Sequence, residues 1–143
     1  MTLKQLCEAI SDLALEQKCI HYAQAGTSIY QLNPKTIEDY PVLFIAPTGD
    51  HLIRDNNTTF QITLTYLDRL TEDSINDIVI YSAAVEQLKN LIRGIEGIEG
   101  VIKVEDEYSI TNFADTESFN DRLCGAFTIV GITVLNNGIC YTE

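Results

Sequence analysis

The residue types that carry chemistry fall in a few places in this sequence. Tyr66-Leu67-Asp68-Arg69-Leu70 and Phe119-Asn120-Asp121-Arg122-Leu123 share an aromatic-x-Asp-Arg-Leu pattern, and Glu105-Asp106-Glu107 is a run of three acids. Two histidines, His21 and His51, and four cysteines, Cys7, Cys19, Cys124 and Cys140, complete the set. Catalysis asks for a nucleophile beside a base, or for two acids that converge on a pocket. Alternation along a strand would place Glu105 and Glu107 on one face and Asp106 on the other, so that run does not converge. No GxSxG, HExxH or Walker-type motif is present. The cysteines lack CxxC spacing and the histidines have no ligand partner at useful spacing, which argues against zinc. Cys7 and Cys124 read as small core hydrophobes. The expectation is a chain without catalytic residues, cofactor or metal.

Asp68-Arg69 and Asp121-Arg122 then admit two readings. One is local turn-capping with surface ion pairs, which contribute little. The other is bidentate contact by Arg69 or Arg122 across a subunit boundary, where arginine is enriched. Both stay open at this point.

The elements that must position these residues follow from periodicity. Leu3, Leu6, Cys7, Ile10, Leu13 and Ala14 recur at three- and four-residue steps, predicting an amphipathic helix over Thr2–Gln17 with Thr2 as N-cap. Cys19–Tyr30 reads as a bent strand or hairpin around Gly26, ended by Asn33-Pro34, and Lys35–Tyr40 as a short polar turn or helix. The apolar run Pro41–Ala46 suits a strand buried on both faces. Thr48–Thr58 is a long polar loop, solvated or in contact with a partner. From Thr59 to Tyr66 the alternation is clean, with Phe60, Ile62, Leu64 and Tyr66 on the buried face and threonines on the other.

A helix from about Ser74 to Ile95 comes next, capped by Ser74, with Ile75, Ile78, Val79, Val85, Leu88, Ile92 and Ile95 as its buried stripe. Gly94, Gly97 and Gly100 mark its end. They form no phosphate cradle, because such a loop precedes a helix. Val101–Ile110 reads as one strand, Thr111–Asn120 as a polar loop around Phe113, and Gly125–Leu135 as a central strand. Asn136-Asn137-Gly138 is a hairpin signal, with Ile139–Tyr141 as a short return strand. The order of elements predicts an α+β fold: a mixed, mostly antiparallel sheet with helices packed on one side.

The 143 residues predict a single domain spanning 1–143. Hydrophobic content of 45% excludes disorder for the bulk of the chain. No apolar stretch approaches membrane-helix length, and Lys4, Glu8 and Asp12 break the apolar pattern that a secretory signal would need. Nine Lys+Arg against 21 Asp+Glu leave a formal charge of −12, which repels phosphate and argues against specific nucleic-acid binding. Such a charge is either a solvated surface or a face past which DNA must slide without sticking.

With these elements in place, the chain resembles the tail terminator, or tail-completion, proteins of tailed bacteriophages and prophages. The resemblance lies in the N-terminal helix, Tyr40-Pro41-Val42-Leu43-Phe44-Ile45, the Phe60–Leu70 strand ending in Asp-Arg-Leu, the Ser82–Ile95 helix and the Phe119–Val134 block. It implies a structural virion protein made in the host bacterial cytoplasm. Such proteins form rings, commonly hexamers, that cap the tail tube and join it to neck and connector proteins at the head–tail junction. DNA would pass through without specific binding, and Glu105 and Glu107 are the candidates for an acidic channel lining. A neck adaptor or stopper ring, or a small ligand- or peptide-binding α+β module, are the alternative readings.

Overall fold

The computed structural model describes residues 1–28, 40–70, 76–115 and 123–136. The first helix, α1 (Leu3–Glu16), begins where a capping box satisfies its free amides. The Gln5 N–H donates to Thr2 Oγ1, and the Thr2 N–H donates back to Gln5 Oε1. Its buried side, Leu6, Cys7, Ile10 and Ala14, is the predicted one. Strand β1 (Tyr22–Ala25) then runs parallel to β2 (Val42–Pro47), the only parallel pairing among the described residues. The Tyr40–Pro41 peptide bond before β2 is cis. As expected, β2 is buried on both faces: Leu43 and Ile45 join the main core, and Val42, Phe44 and Ala46 a second cluster.

The stretch expected as a polar loop contains a tight hairpin instead. Strand β3 (Leu52–Ile53) pairs with the start of β4 (Asn57–Arg69), and the Arg54 N–H donates to the Asn57 carbonyl to close the turn. Asp55 and Asn56 at the turn centre are residue types that tolerate it. The central strands are β4 and β7 (Leu123–Leu135), each 13 residues long and paired antiparallel throughout. Across the sheet the rows run β1, then β2 and β3, then β4, then β7, then β5 (Val101–Val104) and β6 (Ile110–Asp115). Among the described residues all pairings except β1–β2 are antiparallel.

The two described helices pack on one face of the sheet. Ile62, Leu64 and Tyr66 of β4 and Ala126, Val130 and Ile132 of β7 meet α1 and the second helix, α2 (Asp77–Ile95), in one buried cluster. The fold is thus the expected α+β arrangement: a mostly antiparallel mixed sheet with helices packed against it.

The face of α2 differs from the periodic reading. Ile80, Ala84, Leu88, Leu91, Ile92 and Ile95 are buried, whereas Ile78 and Val79 are 71% and 69% exposed. The helix carries two overlapping apolar stripes, and the one containing the small Ala84 is the one that closes onto the sheet. Asn76 is the N-cap; its side chain makes no cap and instead donates to the Arg69 carbonyl at 3.2 Å. The turn after α2 uses Gly100 at φ +96, a conformation that L side chains rarely adopt.

Val101–Ile110 is also not one strand. Glu105–Glu107 lie between β5 and β6, and the expected loop after Ile110 is in fact β6. Ser74, Asp121, Arg122, the Lys35–Tyr40 segment up to residue 39 and the Ile139–Tyr141 strand lie outside the described residues.

Candidate functional site

The Asp68-Arg69 segment closes β4 at the end where β2 and β7 flank it. Asp68 stands opposite Cys124 and Arg69 opposite Leu123 in the ladder. The Arg69 N–H donates to Asp68 Oδ1 at 2.8 Å, a local contact of the kind that turn-capping expects. The Arg69 guanidinium lies over the Tyr40 ring, 4.6 Å from its centroid, a cation–π arrangement. Tyr40 is fixed in turn by His21, whose Nδ1 bonds the Tyr40 carbonyl at 2.8 Å and whose N–H donates to the Pro41 carbonyl. The result is a preset, solvent-facing cation at the sheet's end.

Burial raises the Asp68 carboxyl above its ordinary value, opposed by the Arg69 N–H bond and by the charges of His21 and Arg69. Burial likewise pushes the Cys124 thiol up to about 11, with Asp68 and Asp77 adding to the shift. At neutral pH that thiol stays protonated, which is the unreactive form. Proximity of Cys124, Asp68 and His21 therefore does not make a nucleophile. Among the described residues no three His, Cys, Asp or Glu side chains gather as a metal site.

Glu105 does something that the alternation reading missed. Its N–H donates to the Gly131 carbonyl at 2.9 Å, and its Oε2 accepts the Gly131 N–H at 3.0 Å. The carboxylate stands in for a strand carbonyl and bridges the gap between β5 and β6 along β7. Glu105 is thus tied into the ladder, Glu107 is exposed outside any strand, and the two do not share a strand face.

The larger surface feature is the sheet face that the helices leave open. Register places Leu52, Thr59, Thr133 and Lys103 in one cross-strand row. The neighbouring rows are Asn57–Leu135 and Gln61–Gly131, followed by Ala46–Thr63–Ile129. Hydroxyl pairs tie this face together: Thr59 with Thr133 at 2.7 Å and Thr48 with Thr63 at 2.8 Å. Arg54 Nη1 reaches in from the hairpin to Asn57 Oδ1 and Thr59 Oγ1, both at 3.1 Å.

Here a cleft of about 360 Å³ lies between Arg54, Gln61, Ile102, Lys103, Glu105 and Thr133. Gly131 forms part of its floor, since a Cβ there would sit 3.0 Å from Glu105 Oε2. Around it Leu52, Ile102, Ile129 and Leu135 are all about half-exposed. The threonine alternation from Thr59 announced an open face in the sequence. Arg54, Ile102 and Lys103 gave no such signal, because a short hairpin and a bulge at Val101/Lys103 bring them there.

No helix among the described residues is long and apolar enough to cross a membrane. No protein-family model matches the chain, and no curated protein matches its sequence.

Proposed function

We propose that this chain is a non-enzymatic structural subunit of a tailed-bacteriophage virion. In this reading it forms a ring, six copies favoured, at the head–tail junction, where it caps the tail tube and joins it to neck and connector proteins. Two things support the reading: the likeness in element layout, and an α+β architecture of the kind that likeness implies. The observation that carries it is the open sheet face, where four half-exposed aliphatic side chains surround a polar cleft. A free monomer would leave that patch in water, and such patches mark protein–protein contacts. Arg69, stacked on Tyr40, remains a candidate for a second contact between subunits, and Arg122 for its counterpart.

In such a ring DNA passes without specific binding, and the excess acid keeps the passage from trapping phosphate. Glu107 is the better lining candidate, because Glu105 commits one carboxylate oxygen to Gly131. A neck adaptor or stopper would share the ring. One observation favours the ligand- or peptide-binding reading: a cleft of about 510 Å³ between α1 and the end of β1, lined by Leu3, Cys7, Glu8, Ala25 and Pro47 among others. Deleting the gene from the phage or prophage that carries it separates these readings. The virion reading predicts heads and tails that accumulate unjoined in electron micrographs, restored by supplying the chain. Normal, joined virions without it would refute the reading.

A further inference from the structure

The ring reading leaves open which surfaces meet, and the two sides of this subunit differ in charge. On the open sheet face the described charged side chains around the cleft are Arg54, Lys103 and Glu105. Glu105 is engaged with Gly131. Among the described residues Lys103 has no ion pair, and Arg54 bonds through Nη1, to Asn57 and Thr59. This is a locally cationic surface on a chain of formal charge −12.

The opposite side of the subunit is the outer face of α1. Glu8, Asp12 and Glu16 fall at four-residue steps, so they form one stripe, and all three are exposed. The stripe lies on the side of α1 away from the buried Leu6, Ile10 and Ala14, and its Glu8 and Asp12 also border the cleft between α1 and the end of β1. Lys4 pairs with Glu8 at 3.9 Å, and that pair is highly exposed. Leu15, 49% exposed, stands beside Asp12 and Glu16 on the same side. One side therefore offers two cations ringed by aliphatics, and the other offers a row of carboxylates beside a leucine.

We infer that, within the ring reading, the open sheet face of one copy docks on the outer face of α1 of the next copy. Arg54 and Lys103 meet Asp12 and Glu16 there, and Leu15 meets the aliphatic rim of the cleft. The two patches lie on opposite sides of one sheet, so the contact is head-to-tail, the type that closes into a ring when the rotation permits. A two-fold dimer would instead bring like patches together, cation against cation. Charge complementarity of this kind fixes register and excludes the wrong pairing.

Two variants test the contact. One carries Arg54→Glu with Lys103→Glu, the other Asp12→Lys with Glu16→Lys. All four residues are on the surface, and circular dichroism confirms that each variant folds. Native mass spectrometry at low salt is run first on the wild type. Absence of any assembly there refutes the ring itself, and this inference with it. Given a wild-type ring, each variant alone is expected to fall to the 16.0 kDa monomer. An equimolar mixture is expected to recover the wild-type stoichiometry with the two variants alternating, which an even-numbered ring allows. Normal rings from either variant alone, or no recovery on mixing, would overturn the docking geometry while leaving the ring reading standing.

Discussion

Gly125 is the position where the sheet tolerates least. It faces Leu67 in the β4–β7 ladder, and a methyl group there would fall inside the Tyr66 carbonyl oxygen. It would also lie 2.7 Å from that carbonyl carbon and 3.1 Å from Leu67 Cα. The obstacles are backbone atoms of a central strand held by β2 on its other edge, so no side chain can swing aside. Gly125→Ala must therefore pry β4 from β7 around Tyr66, Leu67 and Asp68. Losing two ladder hydrogen bonds costs about 2 kcal/mol. Exposing about half of Leu67 or Leu123, both fully buried, costs about 1–1.5 kcal/mol more. Alanine's stiffer unfolded chain returns up to about 1 kcal/mol.

The net expectation is a loss of about 2–3.5 kcal/mol, a large share of a typical domain's 5–15 kcal/mol. Urea unfolding followed by circular dichroism at fixed protein concentration measures it. Gly97→Ala is the control: a Cβ there meets only the Gly94 carbonyl oxygen, at 3.5 Å, so it should change stability by less than about 1 kcal/mol. If Gly125→Ala cost under about 1 kcal/mol, the described close approach of the central strands would be wrong.

Three further outcomes are expected. Thr128 is buried on the helix-facing side, and its Oγ1 has no hydrogen-bond partner among the described residues, so Thr128→Val should raise stability in urea unfolding by about 1–2 kcal/mol. Asp68 holds its proton more tightly folded than unfolded; its contribution to stability is therefore greatest at acid pH and falls as pH rises from its ordinary value near 3.8 through its raised one. Asp68→Asn should accordingly flatten that fall and leave the neutral-pH protein at least as stable, as read by unfolding at several pH values. Alkylation with iodoacetamide, mapped by peptide mass spectrometry, should modify exposed Cys19 well before buried Cys7 and Cys124, whose thiols burial pushes up.

The sequence was most legible where one local device settles one element. Thr2 and Gln5 announce the start of α1, and the threonine alternation from Thr59 announces a strand with one open face. The unbroken apolar Val42–Ala46 announces a strand between two packed layers. It was least legible where a side chain substitutes for backbone. Nothing in Val101–Ile110 says that the Glu105 carboxylate will take a carbonyl's place against Gly131, so two strands read as one. The α2 face was missed because Ile78 and Val79 fit the helical period as well as Ile80 and Ala84 do, and only tertiary packing chooses between them. The candidate interface was half visible. Glu8, Asp12 and Glu16 form a stripe in the sequence, whereas Arg54 and Lys103 come together only through the sheet's register.

The central claim is a closed ring, and its most direct measurement is the mass of the wild-type chain by sedimentation velocity across a range of concentrations and salt. A closed ring of six gives one discrete species near six times the 16.0 kDa chain mass, populated more at low salt because the contact is charge-complementary. A single 16.0 kDa species at every concentration, or an open-ended series of growing assemblies, would contradict it.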